Sequence, residues 1–309
     1  ESLGGRLIDL IFVITTVGAA GGTIGSYIPM LSSGFSDILN IENNLLLDLQ
    51  VLTLCVGLFS FSVYSGLTKG IKRLSDLNLI LAILFLIIIL SIGPTFEIVR
   101  NSFDGLVYTV KYFWDMSTLG ILEKSEFAEA WTIFYWAWWV AFGPLVALFI
   151  ARISKGRTLR ELILGMLIFG SLGTWLFYMI LGGYSMSLEQ TGTLGVMDSL
   201  KEQGHAETAI NIVRTMPFDT IMLVLFCAIT IIFVTTSYDS MSFVIAYHVQ
   251  RNSNQQKDPE KELRLFWAIV LGILPAALVL YSDHSVATDL ILITSLPLIF
   301  IYPLMALAI

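Results

Sequence analysis

The sequence is poor in charged residues, in cysteine and in any excess of basic residues, and each shortage excludes a class of protein. Asp, Glu, Lys and Arg make up 13% of the 309 residues. A soluble domain carries about 25%, so a soluble enzyme is excluded. Two cysteines are too few for a disulfide-stapled secreted domain, and a net charge of −7 excludes a nucleic-acid partner. Hydrophobic residues make up 56% of the chain, and its mean hydropathy is +0.81, which indicates a polytopic membrane protein.

Eight charge-free apolar runs are each long enough to cross a bilayer, which takes roughly 20 residues of α-helix. Their Leu, Ile, Phe, Ala and Gly content favours helices over the short alternating strands of a membrane barrel. The runs are Leu10–Ser36, Leu49–Thr68, Leu77–Phe96, Ala130–Ala151, Leu162–Leu188, Thr220–Tyr238, Leu265–Ser282 and Leu290–Ile309. We predict that the sixth run continues past Asp239 to about Gln250. Because the chain starts without Met and stops inside the last run, we expect it to be part of a longer protein.

Basic residues alternate from loop to loop. The loops that hold Lys69–Arg73, Arg152–Arg160 and Arg251–Arg264, together with Arg6, carry 12 of the 17 basic residues. The positive-inside rule places them in the cytoplasm and the intervening acidic loops outside. Among the outer segments, Arg100–Ser117 mixes apolar and charged residues and is typical of an amphipathic helix at the membrane surface. We also predict a short external helix in the outer segment 203–216.

The first apolar run contains a stretch of small residues, Gly18–Ser26, followed by Pro29. Small residues allow transmembrane helices to pack closely against one another. The same composition suits a loosened helix that lines a transport pathway, because irregular backbone in a membrane is tolerated where it faces a cavity. The sequence leaves both interpretations open.

The fourth run begins with an aromatic cluster, Trp131–Trp139, in which six of nine residues are aromatic. An aromatic belt at the outer interface explains the first of them. Trp138 and Trp139 lie deeper, roughly 10–12 Å along a helix, and Phe142 follows one turn later. Indole faces attract cations most strongly where water is excluded. Together with Tyr135, these side chains are therefore candidates for binding a quaternary ammonium group.

The sixth run ends in Phe233–Ser240, a stretch of hydroxyl side chains that contains one acid, Asp239. Hydroxyl and carbonyl oxygens are ligands that hard cations prefer. The alternative is that Ser and Thr hydroxyls bond back to the preceding helical turn. An acid inside a membrane span is a functional candidate, although pairing with a cytoplasmic basic residue would also account for Asp239.

Two long motifs identify a resemblance to a known family. Trp131–Trp139 reads WTIFYWAWW, and Phe149–Thr158 follows it at a fixed distance as FIARISKGRT. The TTSYDS stretch at 235–240 and the KGIKRLSDLN loop at 69–78 agree with them. At these residues, and over the whole chain, the sequence resembles the betaine/carnitine/choline transporter family.

The resemblance implies a leucine-transporter-like inverted-repeat bundle of twelve spans, of which this chain would hold the fifth to the twelfth. Residues 1–99 would then be the last three spans of the first repeat, 100–126 the interfacial helix that links the repeats, and 127–309 the five spans of the second repeat. The family's glycine-rich third span and its fourth span, which completes the aromatic box, would be absent, so we expect no transport by this chain alone. The family is typically trimeric, and its members lie in the cell (plasma or inner) membrane.

The resemblance also implies roles for aromatic residues. It puts Trp138 and Trp139 on the ammonium group of the substrate. Phe142 stands where sodium-coupled betaine transporters of the family have another tryptophan.

For sodium, the family pattern matches the Phe233 carbonyl, Thr236 and Ser237 to one site. Thr15 matches part of a second site, whose expected threonine partner is Ala19 here. Asn78 lies near the position where sodium-independent antiporters of the family have an arginine, and a neutral residue there favours sodium coupling.

The leading hypothesis is therefore a sodium-coupled symporter for glycine betaine, choline or carnitine, with sodium as the coupling ion and no other cofactor. A sodium-independent exchanger of the same substrates is the alternative. A channel would need a repeated filter loop, which the sequence does not show. A membrane enzyme would need clusters of His, Asp and Glu inside spans, where Asp239 stands alone.

Overall fold

The computed structural model describes residues 3–65, 68–119, 128–250, 259–281 and 284–307. Throughout these ranges the regular structure is helical, and no strand occurs in them. The helices are α1 Leu3–Leu39, α2 Leu45–Ser65, α3 Thr68–Ile92, α4 Thr95–Lys111, α5 Phe134–Ile153, α6 Leu159–Gly165, α7 Ser171–Thr191, α8 Val196–Arg214, α9 Asp219–Val249, α10 Lys261–Tyr281 and α11 His284–Leu307. Short π-helical turns at Asp115–Leu119, Ala128–Ile133 and Met166–Gly170 complete the helical structure.

The described residues contain eight helical segments long and apolar enough to cross a membrane. This confirms the all-α, polytopic class and the number of spans predicted from the apolar runs. The sixth span, α9, continues past Asp239 to Val249, as predicted. The arrangement of the spans as inverted repeats, with boundaries at 99 and 126, stays a prediction.

One predicted end is wrong. The second run was extended to Thr68, but residues 66–67 lie outside the described residues, so its end stays a prediction. The third run was extended to Phe96, but α3 ends at Ile92 and Phe96 belongs to α4. Pro94 stands between these two helices and has no N–H to continue a helix. The hydropathy of the sequence does not reveal such a turn, because the residues on both sides of it are apolar. The predicted ends at Ser282 and Ile309 lie outside the described residues.

Helix α1 lies at the centre of the bundle, where it packs against α2, α5, α8, α9, α10 and α11. It runs without a break through Gly18–Ser26 and past Pro29. A Cβ atom added to Gly18 would lie 2.4 Å from the Thr294 side chain on α11, and one on Gly21 would lie 2.5 Å from Leu274 on α10. The structure therefore favours the packing interpretation of the small residues over the loosened helix.

A second apolar cluster joins α3, α7, α8 and α9 beside this centre. Helix α4 attaches to it through buried Ile98, while apolar residues such as Phe103 and Val110 stay exposed. Helix α4 overlaps the amphipathic helix predicted at Arg100–Ser117, although it begins at Thr95 and ends at Lys111. Its position at the membrane surface stays a prediction, and residues 120–127 lie outside the described part of the chain. The short helix predicted within 203–216 corresponds to the part of α8 after Gly204, where φ of 82° and ψ of 179° interrupt the helix.

Two side-chain contacts show how the ends of the helices align. His248 Nε2 at the end of α9 lies 3.0 Å from Asp9 Oδ1 near the start of α1. Arg214 at the end of α8 lies 3.2 Å from Asp37 near the end of α1. The start of α1 and the end of α9 therefore lie at the same end of the bundle, as the alternation of basic loops requires. Residues 251–258 lie outside the described residues, and the assignment of this end to the cytoplasm stays a prediction.

Candidate functional site

Four aromatic side chains on α5 form a contiguous row, which we call the aromatic ladder: Phe134, Tyr135, Trp138 and Phe142. The rings of Phe134 and Trp138 stack with their centroids 5.8 Å apart. Phe142 meets Trp138 edge-on at 6.2 Å, and Tyr135 lies 5.7 Å from the same indole. Residues three or four apart share one face of a helix, so Trp138 becomes the centre of the ladder.

The indole of Trp138 is fixed to the small-residue stretch of α1. Its Nε1 donates a hydrogen bond to Thr23 Oγ1 at 3.1 Å, and that hydroxyl donates to the carbonyl of Ala19 at 2.7 Å. Trp139 lies on a different face of α5, because adjacent helical residues are about 100° apart, and it is 64% exposed. The structure thus brings Trp138, Tyr135 and Phe142 together and leaves Trp139 outside the ladder. A substrate contact by Trp139 stays a prediction.

Tyr135 also ties the ladder to α7. Its hydroxyl lies 2.5 Å from the hydroxyl of Tyr178. On the other side of Tyr135, the Trp131 ring stacks at 6.0 Å and contacts His205 of α8. The N-terminal end of α5 is therefore held by α7 and α8.

The predicted sodium ligands lie in one turn of α9. The Thr236 hydroxyl donates to the carbonyl of Ile232 at 2.9 Å and lies 3.2 Å from the Phe233 carbonyl. Ser237 is half-buried beside them. The Thr236 hydroxyl thus bonds back to the preceding helical turn, as the alternative to a cation site predicts. The same geometry places the Thr236 and Phe233 oxygens, two of the predicted sodium ligands, next to each other. Thr235, which was not predicted, has a buried hydroxyl without a hydrogen-bond partner among the described residues.

Tyr238 is a buried residue that sequence reasoning missed. Its hydroxyl donates to the carbonyl of Ala20 on α1, and its ring stacks on Phe59 of α2 at 5.6 Å. The carbonyls of Ala19 and Ala20 therefore accept hydrogen bonds from Thr23 and Tyr238. The aromatic ladder and the stretch Phe233–Ser240, which holds the predicted sodium ligands, therefore contact the same turn of α1.

Asp239 pairs with a basic residue, as one of the two interpretations of this acid expected. Arg264 Nη2 of α10 lies 3.5 Å from Asp239 Oδ1, and the two side chains are only 7% and 5% exposed. The guanidinium also lies 5.1 Å from the centre of the Phe243 ring. The sequence placed Arg264 in a basic loop, whereas the structure buries it inside the bundle.

The two remaining candidates lie on different helices. Thr15 is buried and donates a hydrogen bond to the Thr294 carbonyl of α11 at 3.0 Å. Ala19, one turn further, is fully buried and offers no side-chain oxygen. Asn78 on α3 is buried too, and its Oδ1 has no hydrogen-bond partner in the described ranges. The structure thus gives Thr15 a packing partner and leaves Asn78 with an unused acceptor.

These features define a helical, multi-pass protein of the cell membrane with a half-buried aromatic ladder on α5. The family model described as BCCT, betaine/carnitine/choline family transporter, matches residues 1–309, and the chain belongs to this family.

The chain is similar to several curated relatives. It is 31% identical over 300 residues to a carnitine transporter of Acinetobacter baumannii, which covers 96% of this chain and 54% of that protein. It is 34% identical over 286 residues to the glycine betaine transporter OpuD of Bacillus subtilis, at 92% and 54% coverage. The uncharacterized transporter YeaV of Escherichia coli is 30% identical, at 96% and 62% coverage. The chain therefore spans between half and two thirds of the length of these relatives.

Proposed function

We propose that this protein transports a trimethylammonium compound, such as glycine betaine, choline or carnitine, across the cell membrane by alternating access. The observation that carries the proposal is the aromatic ladder centred on Trp138, which lies between α5 and α1. Two relatives are named as transporters of carnitine and of glycine betaine, and both are quaternary ammonium compounds.

The chemistry of the ladder suits such a substrate. A trimethylammonium group has no N–H to donate, so it gains little from a hydrogen-bond acceptor. It gains from aromatic faces, which contribute about 0.5–2 kcal/mol each depending on how completely water is excluded. Asp239, the acid inside a span, is occupied by Arg264. This supports aromatic rather than carboxylate recognition of the cation.

We propose further that transport is coupled to sodium in a symport mechanism. The support is the pair of neutral oxygens from Phe233 and Thr236, 3.2 Å apart, with Ser237 next to them. Neutral oxygens suit a monovalent ion better than a divalent one, which prefers carboxylates. Neutral Asn78 agrees with sodium coupling, and Thr15 is the candidate for a second site. The homotrimer that the resemblance implies is likewise part of this proposal.

Uptake by the full-length protein tests both proposals. Cells that express it are expected to accumulate radiolabelled betaine, choline or carnitine faster than cells without it, and only with sodium outside. Uptake that is indifferent to sodium would contradict the symport mechanism and favour the exchanger. No uptake or binding of any of the three compounds would contradict the proposed substrate class.

Trp139 gives a residue-level test of the same proposal. We expect Trp139→Leu to weaken binding of the trimethylammonium substrate by roughly 2- to 30-fold, the loss of one cation–π contact. Trp136→Leu is the matched control, because Trp136 has a similar exposure to Trp139 and lies on the same helix. Equal affinities of the two variants would remove Trp139 from the site.

A further inference from the structure

Thr23 occupies an unusual position between α1 and the aromatic ladder. Its hydroxyl hydrogen is used by the Ala19 carbonyl, 2.7 Å away on the preceding turn. The hydroxyl oxygen is then left as an acceptor, and the indole N–H of Trp138 points at it from 3.1 Å. An indole N–H can only donate, and a hydroxyl has one hydrogen and two lone pairs, so Thr23 can accept from the indole while it donates to the backbone.

The backbone that carries Thr23 is itself held tightly. A Cβ atom on the neighbouring Gly22 would lie 2.6 Å from the Ile291 side chain and 2.7 Å from the Ala287 carbonyl, both on α11. Such distances leave no space between α1 and α11 at this turn. Thr23 is therefore a fixed acceptor rather than one that adapts to the indole.

The indole is constrained from other directions as well. Phe134 stacks on Trp138 with an interplanar angle of 24°, and Phe142 contacts it with an angle of 69°. These contacts limit how far the ring can tilt. Rotation about the Cβ–Cγ bond would turn the ring face and would break the hydrogen bond from Nε1 to Thr23, so that bond further constrains the direction of the face.

We propose that Thr23 is a positioning residue for substrate recognition: it binds the indole N–H and so fixes the orientation in which Trp138 presents its ring to the cation. The inference rests on the proposed function, because it assumes that Trp138 contributes to a quaternary ammonium site. Cation–π attraction depends on the cation lying over the ring face. Loss of the fixed orientation therefore weakens binding even though Thr23 itself does not touch the substrate.

The test is substrate affinity of the purified full-length protein, measured by the change in tryptophan fluorescence on titration with glycine betaine, choline or carnitine. Thr23→Val keeps the shape of the side chain and removes the acceptor. We expect it to raise the Kd about two- to tenfold, the effect of one neutral hydrogen bond. Thr23→Ser restores the acceptor and should return the Kd to the wild-type value. Thr23→Ala is the second variant if valine impairs folding.

Two comparisons separate positioning from a general effect on structure. Thr53→Val is the matched control, because exposed Thr53 donates its hydrogen bond to the preceding turn of its own helix, at 2.6 Å, and the Kd of this variant should equal that of the wild type. In a Trp138→Phe background, which has no indole N–H, Thr23→Val should have no additional effect, because the two changes remove the same interaction.

The outcomes distinguish this inference from the proposed function. If the wild-type protein binds none of the three compounds, the proposed function fails. If the wild type binds but Thr23→Val and Thr23→Ala bind equally well, the inference alone is overturned. A full Thr23→Val effect in the Trp138→Phe background, or no recovery with Thr23→Ser, would also overturn it.

Discussion

Replacing Asp239 by Asn is expected to destabilise the folded protein by about 3 kcal/mol. Asp239 and Arg264 are almost fully buried and lie 3.5 Å apart. Removing one partner of a buried pair costs roughly 3–5 kcal/mol, because the other charge is left without compensation. The guanidinium of Arg264 keeps its contact with the Phe243 ring at 5.1 Å. This contact contributes about 0.5–2 kcal/mol, so we expect the lower end of the range.

The free energy of unfolding is measured by titration of the purified protein with SDS in mixed micelles. The matched control is Asp104→Asn, because Asp104 and Arg100 form a pair at 3.8 Å whose side chains are 69% and 70% exposed. That change should cost less than about 0.5 kcal/mol. A double variant, Asp239→Asn with Arg264→Met, should recover most of the lost stability, since it removes both charges.

The result that refutes this reasoning is equally specific. The prediction fails if the free energy of unfolding of Asp239→Asn lies within about 0.5 kcal/mol of the wild-type value, which is the change expected for the exposed control. The buried pair would then not hold α9 to α10. If the double variant is as unstable as the sum of the single ones, the two side chains act independently. Either outcome would leave Asp239 without the structural role that its contact with Arg264 implies.

Two further predictions concern sidedness and sodium. Lys155→Cys, in the exposed turn after α5, should resist membrane-impermeant thiol reagents added to intact cells, whereas Gln190→Cys, at the end of α7, should react. Cys55 and Cys227 are buried and give little background, and the reverse pattern would invert the topology. In the full-length protein, Ser237→Ala should raise the sodium concentration for half-maximal uptake more than it lowers the maximal rate, because it removes one proposed ligand. An unchanged sodium dependence would exclude Ser237 from the site.

The number and extent of the spans could be predicted from sequence, because bilayer thickness sets the length of an apolar helix. The exact ends could not, as the turn at Pro94 shows. Asp239 could be singled out, since acids are rare inside spans. Its partner could not be identified, because Arg264 lies 25 positions away on another helix and was grouped with the basic loop.

The same limit applies to the candidate site. The aromatic residues of α5 share a face by helical spacing alone, so Trp138 and Phe142 could be placed together from sequence. The bond between Trp138 and Thr23 joins residues 115 positions apart and depends on how α1 packs against α5. The small residues around Thr23 allowed two interpretations until the positions of α10 and α11 showed which neighbours they meet.

The close approach of α1 and α11 has a consequence for how the bundle responds to its surroundings. The position that a Cβ would take on Gly22 is 2.7 Å from the Ala287 carbonyl, which allows a weak Cα–H···O hydrogen bond between the two backbones. Together with van der Waals contact, such bonds hold helices together in lipid, where no hydrophobic effect drives their association. None of these forces involves an ionisable group or a screened charge. We therefore expect the contact between α1 and α11 to be insensitive to pH and ionic strength.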